Sequence, residues 1–323
     1  MKQLSIFILF CITFLSCKKE KSLEENPLDK ITIQLRSEVV PVPPKTYSGV
    51  FSNYFKMTNI GTDIYIAPPY QNSQPLQNYF IKYNLNSKSY STLNYDPSIC
   101  ACGYTSKLVN NGTNIFYIAN EAKKYNISTN TWSSINYPVA AQNNNGEAGV
   151  VTHSNKIYFL GGRTFTNKFK YYDILNDQWY NLANAPYYGE LSNMATIDNK
   201  IYALGGYDGI KHTKTLSVFD INNNSWDTLP PIINLIPYTN SSRTNMVSLN
   251  ERFLVVIDGE EFEPLSLSIF DTYTNKWKNN PIDLNLDYLY PTLLNIEGKI
   301  YVASNSNSGE LFLTEIVIQN LPS

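Results

Sequence analysis

The sequence predicts an all-β fold, a six-bladed β-propeller closed by an N-terminal strand in its last blade. Three observations carry that prediction. An aromatic pair of fixed spacing recurs five times, and a short apolar strand precedes every pair. An alternating segment near the N-terminus matches an outer strand that the last unit lacks.

The pairs are Tyr83 with Tyr90, Tyr125 with Trp132, Tyr172 with Trp179, Phe219 with Trp226 and Phe270 with Trp277. The second members fall 42, 47, 47 and 51 residues apart by their own numbering, near the period of about 50 expected of propeller blades. The segments between the aromatics, such as Asn222-Asn223-Asn224-Ser225, are rich in turn formers and read as hairpins. The second aromatic of each pair is expected to pack between neighbouring blades, where a large ring buries most area. Upstream lie the strands Ile64–Ala67, Ile115–Ile118, Ile157–Leu160, Ile201–Leu204 and Phe253–Val256. Two of them run directly into Gly161-Gly162 and Gly205-Gly206.

A strand, Gly-Gly, Tyr-Asp/Asn, a turn and then Trp together resemble the kelch repeat. Blades three and four match that pattern fully, whereas blade five has Asp258-Gly259 and the first two have Pro68-Pro69 and Ala119-Asn120. A sixth unit begins at Lys299–Ala303 and continues through Leu311–Ile318, but no aromatic step follows before Ser323. Residues Lys30–Leu35 (KITIQL) alternate with period two, as a half-buried strand does. They are expected to supply the missing outer strand and so remove an open sheet edge.

The first residues read as an address. Lys2 precedes an apolar run from Leu4 to Leu15, too short for a bilayer span and followed at once by polar residues. Phe14-Leu15-Ser16-Cys17 resembles a bacterial lipobox, which implies acylation at Cys17 and loss of Cys11 with the leader. The expected organisation is a signal peptide over 1–16, a charged tether over 17–29 and a kelch propeller over 30–323. Lipid on Cys17 would hold the domain to the bacterial cell envelope, at the outer membrane, with two or more chains giving stable anchoring.

Composition narrows the chemistry. The chain has 25 Lys+Arg against 27 Asp+Glu, a net charge of −2, so it offers no basic face for nucleic acid. With two His, His153 and His212, it lacks the ligand set of the copper oxidases built on the kelch fold, and zinc fares no better. Cys100-Ala101-Cys102 is the one thiol pair of the expected mature chain, either a strained disulfide or two separate thiols. No GxSxG, P-loop, HExxH or dinucleotide fingerprint occurs. Neither a metal nor a cofactor is expected.

The kelch resemblance implies a ligand site at the propeller mouth, with an Arg about fifteen residues before the first glycine. That count lands on Arg243 in blade five and on Glu190 in blade four. Arg163 follows the glycine pair of blade three, Tyr207 and Asp208 follow that of blade four, and Glu260 follows Gly259. Tyr188, Tyr238, Tyr288 and Tyr290 add aromatic platforms. Guanidinium groups, carboxylates and rings together suit a sugar or a polar peptide segment.

Two functions fit. One is a non-catalytic module that binds a protein or glycan partner, touching the membrane only through its lipid. The other is a sugar-modifying enzyme similar to the kelch sialic-acid mutarotase (N-acetylneuraminate epimerase), with Glu190 and Arg243 as the acid-base pair. The resemblance to that enzyme covers architecture alone, and the balance favours binding.

Overall fold

The computed structural model describes residues 25–40, 55–67, 80–96, 106–119, 121–136, 147–162, 166–207, 210, 213–232, 244–259, 264–286, 291–305 and 311–322. A 3-10 turn, Pro27–Lys30, leads into β1 (Thr32–Val40). Six antiparallel sheets follow, each a blade.

Blade one is β2 (Lys56–Ile60), β3 (Asp63–Ala67), β4 (Phe80–Asn84) and β5 (Ser89–Leu93). Blade two is β6 (Lys107–Asn110), β7 (Asn114–Ile118), β8 (Ala122–Asn126) and β9 (Thr131–Ser134). Blade three is β10 (Gly149–His153), β11 (Lys156–Leu160), β12 (Phe169–Asp173) and β13 (Gln178–Asn181). Blade four is β14 (Asn193–Ile197), β15 (Lys200–Leu204), β16 (Leu216–Asp220) and β17 (Ser225–Leu229). Blade five is β18 (Asn245–Leu249), β19 (Phe253–Asp258), β20 (Ser266–Asp271) and β21 (Lys276–Trp277), with β22 (Ile282–Asp283) also pairing with β20. Blade six is β23 (Thr292–Ile296), β24 (Lys299–Asn305) and β25 (Leu311–Gln319), completed on the outside by β1.

Closure therefore follows the expectation from the sequence. Register runs from Thr32 opposite Gln319 to Val40 opposite Leu311. Strand β1 serves both flanks of its blade. Leu28 and Ile31 are buried with blade-five residues such as Phe253 and Val255, and Ile33 and Leu35 pack on the same cluster. Val40, at the far end, is buried with Phe55, Met57 and Ile64 of blade one. Asn26 donates from Nδ2 to the Trp277 carbonyl at 2.8 Å, and Asp29 Oδ1 accepts from the Asn279 amide at 3.0 Å. The Lys88 ammonium of blade one meets the Glu38 carboxylate of β1.

The second strand of each blade is buried on both faces because a neighbouring blade covers each side. Apart from its first residue, β7, β11 and β15 are buried throughout, and β19 is buried end to end. This is why these strands read as continuous apolar runs rather than alternating ones.

The Asp or Asn after the first aromatic closes each outer hairpin. Asp220 Oδ1 accepts from the amides of Asn222 at 2.9 Å and Asn223 at 3.0 Å, and Asp173 does the same for Leu175 and Asn176. Each turn ends on a left-handed residue, at Lys88, Asn130, Asp177, Asn224 and Asn275, a conformation that Asn and Asp, the type at four of the five, tolerate well.

The tryptophans join blade to blade. Trp132 Nε1 donates to the Asn94 carbonyl at 2.8 Å, and Trp179 to that of Asn136 at 2.6 Å. Trp226 donates to the Ala183 carbonyl at 2.9 Å, and Trp277 to that of Pro230 at 2.8 Å. In each case the acceptor lies just beyond the outer strand of the preceding blade. Tyr90 departs from the expectation. Its side chain is exposed, because on β5 only Leu93 is even half-buried.

Candidate functional site

The inner strands β2, β6, β10, β14, β18 and β23 line a central channel that holds a cavity of about 380 Å³. Register defines levels along it. Lys56, Lys107, Gly149, Asn193, Asn245 and Thr292 each pair with the residue at or near the end of the adjacent second strand, so they share one level at the strand-start end. The next residues inward, including Met57, Leu108, Met194 and Met246, are buried in the blade interfaces. They hold the walls, and of the ring above them Lys56, Lys107, Asn193, Asn245 and Thr292 line the cavity, whereas Gly149 packs closely on Ser192.

Further along, amide side chains stitch the inner strands together. Asn110 Nδ2 donates to Thr58 Oγ1 at 2.6 Å and to the Asn59 carbonyl at 3.1 Å. Asn59 Nδ2 donates to the Asn295 carbonyl at 2.9 Å, and Asn295 Nδ2 to that of Ser248 at 2.6 Å. Blades two, one, six and five are thus tied in sequence around the channel wall.

At the strand-start end the two glycine pairs grip one crossing segment. A Cβ on Gly161 would come within 2.4 Å of the Gly189 carbonyl carbon, and one on Gly206 within 2.4 Å of the Tyr188 oxygen. Both glycines also hold positive φ, 72° and 127°, a region open to Gly at little cost. The clamped segment carries Glu190, which bridges Ala148 and Tyr207 as isolated antiparallel partners. The Tyr207 amide donates to the Glu190 carbonyl at 2.8 Å.

Of the residues singled out from the sequence, Glu190 is buried, Tyr207 is half-buried beside it and Tyr188 is exposed. Arg163, Asp208, Tyr238, Arg243, Glu260, Tyr288, Tyr290, Cys17, Cys100, Cys102 and His212 lie outside the described residues. His153 ends β10, at the opposite end of the channel from Glu190. The count of fifteen residues does not carry a fixed position from blade to blade. Ile197 pairs with Lys200 across Asp198-Asn199, whereas Leu249 pairs with Phe253 across Asn250-Glu251-Arg252. Aligned through Asn193 and Asn245, Arg243 corresponds to Leu191 rather than to Glu190.

Sequence reasoning missed Lys56 and Lys107. Both are half-buried in the channel wall on adjacent blades. Burial and the nearby Lys107 charge lower the Lys56 amine to about 7, and burial lowers Lys107 as well. A periodic signal was present. Lys56 precedes Ile64 by the interval that separates Lys107 from Ile115 and Asn193 from Ile201, so stepping back from each second strand finds the ring.

Among described carboxylates at this end, Asp258 Oδ1 accepts from Thr244 Oγ1 at 2.6 Å. Asn245 Nδ2 donates to the Pro291 carbonyl at 2.8 Å, so what this end presents to a ligand is the Lys56 and Lys107 amines, the Asn193 amide and the Thr292 hydroxyl, with the buried Glu190 carboxylate nearby. No group of at least three His, Cys, Asp or Glu side chains gathers to hold a metal among the described residues.

The solved structure of YjhT is similar in fold, with a TM-score of 0.63 at 13% identity, covering 85% of this chain and 99% of that one. A family model described as the KLHDC2/KLHL20/DRC7 Kelch-repeats domain matches residues 100–287, more than half of the chain. Together with six antiparallel blades, glycine pairs that admit a crossing segment and aromatic hairpins closed by Asx turns, that match makes this chain a member of the kelch-repeat family.

Proposed function

We propose that this chain is a lipid-anchored binding propeller of the bacterial envelope, holding a protein or glycan ligand at the strand-start mouth of its channel. The supporting observation is the ring of Lys56, Lys107, Asn193, Asn245 and Thr292 at one end of a channel cavity of about 380 Å³, whose lining continues to Asn59, Asn110 and Asn295. Such a concave site with convergent polar groups is what ligand recognition requires. Kelch membership agrees with a binding role without specifying a partner. The anchoring half of the proposal rests on the Leu15-Ser16-Cys17 sequence and the charged stretch after it.

Two experiments test it. A glycan array probed with the purified chain should give a small set of related hits, and their loss on substitution of ring residues would locate them. An array without hits, together with an inability to compete any binding through the ring, would remove the glycan form of the proposal. For the anchor, Cys17→Ala should move the protein from the membrane fraction to the soluble one. An unchanged membrane pool would overturn that part.

A sugar-modifying role is the second reading, favoured by one observation. Lys56 has an amine brought to about 7, near the pH at which a general base works best. Proton NMR of N-acetylneuraminate anomer exchange decides it: acceleration that Lys56→Met or Glu190→Gln abolishes would establish catalysis.

A further inference from the structure

We propose that the strand-start end of the channel is an anion-binding subsite, in which the Lys56 and Lys107 ammonium groups together hold one carboxylate or phosphate group of a small hydroxylated ligand. This deepens the binding role and rests on it.

Four observations support the subsite. The lysines occupy equivalent register positions, Lys56 opposite Ala67 and Lys107 opposite Ile118, on adjacent inner strands. Their strands are fixed to each other, because Asn110 of β6 bonds Thr58 and Asn59 of β2. The residues that follow, Met57 and Leu108, are buried, so the backbone under both side chains is anchored. At the same level, Asn193 lies across the channel and Thr292 on the blade next to Lys56, while Asn245 donates its amide to the Pro291 carbonyl at 2.8 Å.

That arrangement has a charge logic. Two like charges held close together in a recess repel, and the lowered Lys56 amine records both that repulsion and burial. A compact anion between them would reverse the sign of the interaction and accept hydrogen bonds from both, each charge-assisted. The Asn193 amide and the Thr292 hydroxyl at the same level suit the remainder of a sugar acid or sugar phosphate. The channel cavity that this subsite opens into, about 380 Å³ over its whole length, lies in the size range of small-ligand sites. Because the walls are pinned before the ligand arrives, little ordering remains to be done on binding.

Calorimetric titration of the full chain in detergent, with D-glucuronate, D-glucose 6-phosphate and neutral D-glucose as probes, tests the subsite. At least one acid should bind more than about tenfold tighter than glucose, and which one binds separates carboxylate from phosphate recognition. Lys56→Gln and Lys107→Gln should each weaken that acid by about tenfold, the loss of one charge-assisted hydrogen bond. Acids that bind no better than glucose, or whose affinity survives both substitutions, overturn the subsite. So does the absence of binding by either acid at millimolar concentration.

Amine labelling of the unmodified protein provides a measure independent of variant folding. Inorganic phosphate should slow acetylation of Lys56 and Lys107 relative to exposed Lys200. Equal slowing at all three would count against the site. A neutral glycan whose array binding persists in both variants would discard the anion subsite while leaving the binding role in place.

Discussion

Removing residues before Pro41 deletes an outer strand that two blade interfaces share. Leu28, Ile31 and Val40 are 1%, 4% and 2% exposed, and the first two sit in the blade five–six interface while Val40 sits in the six–one interface. Leu28→Ala provides the calibrated version of that perturbation. A fully buried Leu truncated to Ala costs about 2–5 kcal/mol, which in a domain of this size lowers the melting midpoint by roughly 4–10 °C. Deletion to Pro41 removes all three anchors, the Asp29 and Asn26 bonds to blade five, and every backbone pairing of β25 on its outer side. Its midpoint should fall well below that of Leu28→Ala.

Circular dichroism melts of the full chain, Leu28→Ala and the chain beginning at Pro41 should rank in that order. The truncated form should also self-associate, since β25 then presents an open edge. A synthetic peptide spanning 25–40 should restore part of the midpoint and suppress association. Should the truncated chain melt with the full-length one, or the peptide have no effect, closure by β1 would contribute nothing to stability, and the argument from shared interfaces would be wrong.

Other perturbations probe other joints. Arg252 makes a bidentate pair with nearly buried Asp271, at 3.0 and 2.8 Å, so Arg252→Met should cost about 3 kcal/mol in denaturant unfolding by stranding the carboxylate, and a change below about 1 kcal/mol would dismiss the pair as surface decoration. Gly206→Ala forces a side chain into a positive-φ position 2.4 Å from the Tyr188 oxygen; a loss of about 1–3 kcal/mol is expected, and wild-type stability would show that the crossing segment yields freely. Lys56 holds its proton up to about pH 7 when folded and, as an ordinary lysine, up to 10.5 when unfolded. Between those values the unfolded chain binds the extra proton, so stability of the ligand-free protein should rise from pH 7 to pH 9, and Lys56→Met should flatten that rise relative to wild type. An identical slope in the variant would mean that Lys56 is not the group responsible.

The parts of the fold legible in the sequence are those where one residue type answers one local demand. The Asp or Asn after each first aromatic had to be there because its side chain caps the turn, as Asp173 and Asp220 do. The tryptophans were legible as interface residues, yet their indole acceptors were not, since Asn94, Asn136, Ala183 and Pro230 have in common only a backbone carbonyl. Closure by β1 was readable because period-two alternation survives in isolation. Tyr90 misled because spacing alone assigned it to an interface, whereas the burial of an outer-strand ring depends on what the preceding blade places beside it.

The channel ring was harder to see for a different reason. Blades repeat their hydrophobic strands to satisfy packing, but the ring positions carry different residues, Lys, Lys, Gly, Asn, Asn and Thr; Gly149 is held to its type by a close approach of Ser192 and Met194, while the other five line the cavity. A motif search rewards sameness and therefore passes over them. Counting from the glycines compounds the error, because a hairpin one residue longer in blade five shifts Arg243 against Glu190. The step that works starts from the conserved geometry of the second strand and asks which residue pairs with its far end. In a propeller the informative positions are those where register is constant and residue type varies, and Lys56 beside Lys107 is the place on this ring where that variation concentrates charge.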